Sequence, residues 1–579
     1  MAKRQSKIDV VLAGRGALTL RSNDHVATGG EGSVYRKSNT IIKIYTDTKK
    51  MLKDDFVRKI KILSKLNHQF VVTPTDIVLN IQGNPIGFYM QFAKGEPLSR
   101  VFTNDFRKRE NFDDDDASVL VSHMRDVVQF AHDNNAILVD ANEMNWLAKI
   151  GGKNGPKPRA IDVDSWAIGR WGASVVMPSI RDWHSNTFNE GTDWFAWGVV
   201  TFQVYTGIHP YKGKLQGYKP NEMEKRMKVN ASVFAKNVRL NRAVRDFSSI
   251  PGPLLDWYES TFARGNRCVP PSPFDKGVAT TQITRVLHMV STTSGNLIFD
   301  KIYDAGSDRV LHVFPCGVAL LQYGKLVTLT NGRAITQGCT TAVEVIRVEG
   351  GWLSAENIGN EIQFCYINGV SLQVTKLTLA TTLKKVFRYE NRLFGITQKG
   401  ITEIVIKFLS KPILAFGQTW GVLTNSTQWF DGVGVQDALG AMYIIAPFGI
   451  DACAQIRVRE LDGLRPIVAR GGNRFVTIIT IDKNGDYQKL EFAFDKKYQS
   501  YKVWQGVADS PELNIAILPK GVCATIVEDG KLDIFVPSNG TLNSVEDRFV
   551  STDMALTNWD DKVIYVKDGD VWQLRMKQN

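Results

Sequence analysis

The stretch Ala27-Thr28-Gly29-Gly30-Glu31-Gly32-Ser33-Val34-Tyr35 is a glycine-rich turn. Without Cβ atoms, its backbone N–H groups can come close to phosphate oxygens. Taken alone, it is equally an ordinary hairpin turn. Eleven residues after Gly32 stands Lys43, inside the apolar run Ile41-Ile42-Lys43-Ile44; its plain alternative is an edge-strand lysine facing solvent. Asp140 and Asn145 lie five apart after the apolar stretch Ile137-Leu138-Val139. From one loop, the aspartate can accept a hydroxyl proton while the asparagine amide oxygen binds a metal. Asp162 follows in Ala160-Ile161-Asp162-Val163-Asp164-Ser165, and the intervening Gly151, Gly152, Asn154 and Gly155 predict a hairpin turn that brings Asn145 and Asp162 together. Each aspartate on its own also fits a turn or a helix cap.

The elements that must position these groups are legible from periodicity. Asp55–Asn67 and Ala117–His132 carry apolar residues at helical spacing. The long apolar stretch Trp194–Tyr211 is broken by Gln203, Thr206 and His209, too polar and short for a membrane span, so it predicts a buried helix. From about Asn296 the texture changes to short β-rich runs, after Pro270-Pro271-Ser272-Pro273 and a Ser/Thr-containing stretch. The boundary is placed at about residue 290, give or take ten, dividing the chain into residues 1–290 and 291–579.

The second part repeats a pattern of apolar run, glycine turn and alternating run, a β-hairpin signature. Turn glycines at Gly324, Gly359, Gly400, Gly449, Gly485, Gly530 and Gly569 recur every 35 to 49 residues. That period suits four-stranded propeller blades. Seven units predict a seven-bladed β-propeller, closed on itself. The Gly359 and Gly449 units match least well, so six or eight blades stay open, as does a pair of stacked β-sandwiches.

Taken in order, the pieces of the first part resemble the protein kinase family. Gly29-x-x-Gly32-x-Val34 is similar to the end of G-x-G-x-x-G-x-V, Lys43 to the β3 lysine, Asp140 and Asn145 to D-x-x-x-x-N, and Asp162 in D-V-D to the aspartate of D-F-G. Thr192–Val200, continuing to Thr206-Gly207-Ile208-His209-Pro210-Tyr211, resembles the F-helix block, and Arg267 stands where the last kinase arginine is expected. The style is that of bacterial and phage kinase-like proteins. The resemblance covers about residues 8–285.

It implies an α+β bilobal kinase-like domain, followed by the all-β propeller, and phosphoryl transfer from Mg-ATP to protein Ser/Thr hydroxyls. Gly29, Gly30, Gly32 and Val34 would cover the phosphates. Lys43 would hold the α and β groups, and Met90, Gln91 and Ala93 would form the adenine-binding hinge. Asn145 and Asp162 would carry Mg²⁺, and Asp140 would deprotonate the acceptor. The sequence departs from the pattern at Ala27 for the first glycine, at Leu138-Val139 for His-Arg, and at Asn142 in the catalytic loop. Lys59 occupies the C-helix glutamate position, with Asp55 one turn earlier as a substitute. The alternative is a pseudokinase scaffold that works through the propeller. The missing arginine and a short activation loop argue against switching by loop phosphorylation.

The composition, 43 % hydrophobic and 22 % charged, excludes wholesale disorder and collagen-like repeats. The net charge of +12 is uneven: residues 1–290 carry 41 basic and 29 acidic side chains, the remainder 30 of each. Ten of the basic residues fall between Lys212 and Arg245. A charged helical face in water is the plain explanation; otherwise the run is a candidate site for an acidic partner. It lacks the aromatic interleaving of nucleic-acid readers, which argues against nucleic acid. The acidic run Asp113–Asp116 reads as a solvated loop and helix N-terminus. Six scattered cysteines without C-x-x-C predict reduced thiols. The N-terminus has no apolar signal region. Together these predict a cytoplasmic protein without membrane contact, in the host cytoplasm or virion-associated if phage-encoded, whose protein substrate or assembly partner binds the propeller.

Overall fold

The computed structural model describes residues 7–47, 54–152, 155–173, 176–275, 297–336, 342–358, 361–379, 383–448, 452–519, 521–537 and 540–577. The chain begins with a seven-stranded antiparallel sheet built from β1 (Lys7–Leu12), β2 (Gly16–Arg21), β3 (His25–Thr28), β4 (Gly32–Lys37), β5 (Thr40–Tyr45), β6 (Pro74–Asn80) and β7 (Pro85–Gln91), in the order β2-β1-β6-β7-β5-β4-β3. Side chains alternate across it. Ile42 joins Val10, Leu20, Val78 and Tyr89 in a small core on one face. Lys43 and Tyr45 point to the other, where helix α1 (Asp54–Leu63) crosses the sheet through Ile60 and Leu63.

α1 ends four residues before the expected Asn67. The N–H groups of Lys65 and Leu66 turn to the carbonyls of Ile62 and Leu63, three residues back, which tightens the last turn.

The body below the sheet is helical: α2 (Asn104–Arg109), α3 (Asp114–Asp133), α4 (Glu190–Thr206), α5 (Met223–Lys228) and α6 (Gly252–Phe262). Asp113 caps α3 by accepting from the N–H of Asp116 at 2.8 Å, as its place before an acidic first turn suggests. α4 is apolar on every side, and each residue from Asp193 to Thr206 is buried. It stops at Gly207, whose φ of 79° is left-handed, so the expected extension to Tyr211 becomes a turn. Gly198 lets α6 approach: a Cβ there would sit 2.9 Å from the Trp257 ring. Among the described residues, no helix is long and apolar enough to cross a membrane.

Residues 276–296, including the expected boundary at residue 290, lie outside the described residues. From Leu297 the regular elements among the described residues are β-strands, apart from one short 3₁₀ turn, Arg459–Leu461. It forms seven four-stranded antiparallel sheets among the described residues. Six take their strands from continuous stretches at 310–336, 342–377, 385–420, 427–457, 465–508 and 515–546. The seventh combines three strands within 555–576 with Leu297–Tyr303, which pairs with Asp570–Met576 from Leu297 opposite Met576 to Tyr303 opposite Val571.

Neighbouring sheets share apolar cores, as where Ile444 and Val435 meet Ile478 and Leu490. The middle turn of each sheet falls at the expected glycine in five of the seven: Gly324, Gly400, Gly485, Gly530 and Gly569. Gly359 and Gly449 lie outside the described residues. In the sheet at 427–457 the middle turn is at Leu439-Gly440 instead, so Gly449 was assigned one connection too late. The apolar run before Gly449 is the third strand of that sheet, which is why it resembled the start of a hairpin.

The two halves are packed together. Ile467, Ile479, Ile481 and Tyr487 of the β half belong to the same buried core as α3, α4 and α6.

Candidate functional site

The glycine turn joins β3 to β4 and is closed by the Gly29 N–H on the Gly32 carbonyl at 2.9 Å. Gly29 and Gly30 are open to solvent, with nothing near the place a Cβ would occupy. Gly32 is different: a Cβ there would meet the carbonyl of Ile44, so only glycine lets β4 lie this close to β5. Val34 pairs with Lys43 in that register, and Lys43 with Phe88 on β7. Met90 and Gln91 end β7, and Ala93 follows; Met90 is half-buried against the main core and Gln91 is exposed.

The loop carrying Asp140 is fixed from α4. The Asp193 carboxylate accepts from the N–H of Leu138 at 2.7 Å, from the N–H of Val139 at 2.9 Å and from the His132 ring at 2.9 Å. Burial pushes the Asp193 carboxyl up while those donors pull it down. Val139 has φ = 65°, a conformation that a β-branched residue adopts only under constraint. The Asp140 carboxylate that follows this strained peptide accepts from the Met177 N–H. Asn145 donates its amide to the Asp140 carbonyl at 2.7 Å. β8 (Trp146–Lys149) and β9 (Lys157–Ala160) then form the anticipated hairpin, and the Ile161 N–H donates to the Asn145 carbonyl at 2.9 Å. Asn145 therefore lies beside Asp162.

Asp162 itself is left-handed, at φ = 61°. Its carboxylate meets Lys43 Nζ at 2.6 Å, so the glycine-loop sheet and the lower body converge on one point. Lys43 is only 7 % exposed, not the solvent-facing lysine of the plain alternative. Hydrogen bonds thus link Asp140 to Asn145, Asn145 to Ile161 beside Asp162, and Asp162 to Lys43.

The sequence reading missed a second carboxylate. Asp164 Oδ2 lies 2.7 Å from Lys43 Nζ and also accepts from the Tyr45 hydroxyl. Lys59, 6 % exposed on α1, donates to the Asp164 main-chain carbonyl at 2.7 Å. Burial alone would lower the Lys43 ammonium, but Asp164 and then Asp162 outweigh it and hold Lys43 above the ordinary lysine value. Burial lowers Lys59, whose direct acceptor among the described residues is the Asp164 main-chain carbonyl. The side chain of Asp55 lies outside the described residues. The available signal for Asp164 was the second acid of D-V-D, where the family pattern has glycine.

The β half reaches the same cleft at several places. Asp437 accepts from the N–H of Thr28, at the base of the glycine turn, at 2.8 Å. The turn after strand Phe475–Ile481 lies against the segment that follows the site: the Ser179 N–H donates to the Asn484 carbonyl at 3.2 Å. Tyr487 donates to Glu143, a buried member of the Asp140–Asn145 loop, at 3.2 Å. Burial pushes the Glu143 carboxyl up. The Met177 N–H donates to Asp140 Oδ1 at 2.9 Å.

Arg267, in the loop after α6, grips Asp182 through two bonds of 2.6 and 2.8 Å and ties that loop to the end of this segment. Asp182 was not singled out from sequence because its partner is 85 residues away.

The basic run from Lys212 to Arg245 is not one helical face. α5 accounts for six residues and turns for the rest, since Gly213, Gly217 and Pro220 interrupt any longer helix. Lys212, beneath Tyr487, donates to the Ala508 carbonyl at 3.4 Å, and Arg226 to the Gly213 carbonyl at 2.7 Å. Arg245 donates to the Tyr205 carbonyl at 2.6 Å. Lys219, Lys236, Arg239 and Arg242 remain exposed.

No protein-family model matches the chain, and no curated protein matches it. Among solved structures the chain is similar to a twitchin kinase fragment from C. elegans, described as an autoregulated protein kinase with immunoglobulin domains. The identity is 18 % and the TM-score 0.34, over 43 % of this chain. The likeness spans 56 % of the twitchin fragment, a little over half its length.

Proposed function

We propose that the first half is a protein Ser/Thr kinase using Mg-ATP, and that the second half is a seven-bladed β-propeller that recruits the substrate or anchors the enzyme in an assembly. The observation that carries the enzymatic part is the convergence of Lys43 on Asp162 at 2.6 Å, with Asn145 tied to both Asp140 and Ile161. Phosphoryl transfer needs little covalent chemistry from the protein, and mostly positioning and charge. In this reading the N–H groups of Gly29, Gly30 and Gly32 cover the phosphates with Val34 beneath them, and Lys43 holds the α and β groups. The ends of β7, at Met90, Gln91 and Ala93, bind adenine. Asp140 orients the acceptor hydroxyl and takes its proton.

Asp162 and the Asn145 amide oxygen are hard oxygen donors. Two such ligands suit Mg²⁺, which keeps several waters and phosphate oxygens of its own. When bound, the ion neutralises charge on the transferring phosphate. The pairing of Leu297–Tyr303 with Asp570–Met576 supports the propeller, because it joins the first and last strands of the β half in one sheet. The exposed Lys219, Lys236, Arg239 and Arg242 suit an acidic stretch on a protein partner.

A second reading is a scaffold that holds partners without catalysis. The Met177 N–H on the Asp140 carboxylate favours it, since the group that would accept a proton is already engaged. Incubation with γ-labelled ATP and Mg²⁺ separates the two. Label on the protein or on an added acceptor, lost in Asp162→Ala, supports the kinase. Nucleotide-dependent thermal stabilisation without label supports the scaffold.

A further inference from the structure

We propose that Asp164 is the carboxylate that orients Lys43 toward the nucleotide phosphates. This rests on the nucleotide-binding part of the reading above. Three observations converge. Asp164 Oδ2 lies 2.7 Å from Lys43 Nζ, with 5 % of the residue exposed. The Tyr45 hydroxyl, two residues along the same strand face, donates to the same oxygen and fixes the carboxylate plane. On α1, the residue in place to reach this cluster is a cation, Lys59, whose ammonium sits on the main-chain carbonyl of Asp164 itself, at 2.7 Å.

Lys43 and Lys59 face Asp162 and Asp164, with the Glu31 carboxylate near enough to act on Lys59 as well. A glutamate at 59 beside both aspartates would crowd three carboxylates around one lysine, so the lysine at 59 and the aspartate at 164 fit each other as a pair.

The arrangement changes what the helix does. Asp162 and Asp164 belong to one turn, so the metal-binding carboxylate and the lysine-orienting carboxylate move together. Among the described residues, the carboxylates on Lys43 are those of Asp162 and Asp164, neither of which belongs to α1. When a nucleotide enters, Lys43 exchanges its contact with Asp162 for phosphate and keeps Asp164. Asp164 is a positioning residue: it acts through Lys43.

The test is a double-mutant cycle on the full chain, read as ATP affinity by calorimetry and, where transfer occurs, as separate KM and kcat. Asp164→Gly is expected to weaken ATP binding about tenfold or more, and Lys59→Glu alone to weaken it as well. Combining them is expected to recover affinity toward wild type, because the new glutamate faces Lys43 without a competing aspartate. Asp164→Asn, which keeps the shape, guards against loss of fold: weakened ATP binding with an unchanged circular-dichroism spectrum supports the proposal. Unchanged affinity in Asp164→Gly, or a double variant no better than Asp164→Gly, overturns it. So does an Asp164→Asn chain that is less stable yet binds ATP normally. Wild-type protein that binds ATP but transfers no phosphate defeats the kinase reading and leaves the role of Asp164 standing. Wild-type protein that binds no ATP defeats both.

Discussion

The main-chain N–H of Ser179 donates to the carbonyl of Asn484, 305 residues later in the chain. Ser179 thereby becomes a junction, because its own carbonyl accepts from His209 Nε2 at 2.8 Å. The segment between Asp162 and α4 is held from below by the helical body and from above by a turn of the β half. With Thr28 bound to Asp437, the β half touches the cleft both at its glycine turn and at its floor. It spans the two like a strap, and in the kinase reading a protein acceptor would have to reach Asp140 around it or after it lifts.

Gly485 is the closest point of that strap, with φ = 84° and space for no Cβ, which would collide with the Ser179 side chain. Gly485→Ala is expected to push the turn off Ser179 at a cost of about 1–3 kcal/mol from strain and overpacking. Hydrogen exchange of residues 176–182 should then speed up and phosphate transfer to an added protein should rise. Unchanged exchange in that segment would show that the strap does not restrain it.

Asp437→Ala removes the acceptor for the Thr28 N–H at the other end. The glycine turn should loosen, with faster exchange at residues 28–32 and quicker release of bound nucleotide, while overall stability changes by about 1 kcal/mol. Nucleotide release measured by stopped flow decides this, and equal rates in the two proteins would count against it.

His209 is buried, donates to Ser179 and accepts from the Tyr211 N–H at 3.1 Å, so it must be neutral. Burial pushes its pKa down from 6.5 to about 3, and Lys212 and Arg226 push the same way. The unfolded chain binds this proton more readily than the folded one. Stability from His209 is therefore complete above the ordinary histidine value and is lost as the pH falls toward the folded value, at up to about 1.4 kcal/mol per pH unit. His209→Asn should be less stable near neutrality by about 1–3 kcal/mol, with a shallower decline in acid. Urea midpoints compared between about pH 7 and about pH 4 test it; parallel curves would assign the acid sensitivity elsewhere.

Asp193→Ala would leave the N–H groups of Leu138 and Val139 buried without an acceptor, and release Val139 from its left-handed conformation. A loss of about 3 kcal/mol or more is expected, with collapse of the Asp140 geometry. Thermal unfolding and ATP binding should therefore fall together. A variant that loses stability but keeps full ATP affinity and turnover would separate the anchor from the site.

The glycine turn, Lys43, Asp140, Asn145 and Asp162 were legible because each sits at a fixed offset within a local turn or strand, and backbone geometry alone carries such offsets. The period of the β half was legible for the same reason: a hairpin needs its turn residue in place. Asp164 and Asp182 were not, nor was the acceptor that Lys59 finds, because these contacts join residues 85 to 121 positions apart that no local pattern announces. Tyr487 and Glu143, 344 positions apart, and Asp437 and Thr28, 409 apart, are joined only because the two halves meet. The basic run misled for a related reason. Charge counts do not reveal that Arg226 and Arg245 turn inward to main-chain carbonyls.

The sheet that holds both Leu297–Tyr303 and Asp570–Met576 gives the β half a direction of mechanical weakness. Leu297 faces Met576, so the chain enters and leaves this pair at the same end. A pull between the first half and the residues after Met576 loads the pair bond by bond, like opening a zip, and never all at once. Single-molecule stretching is expected to peel Leu297–Tyr303 away at low force, before any of the other six sheets yields. Tension would then be an input that this protein converts into an opened β half.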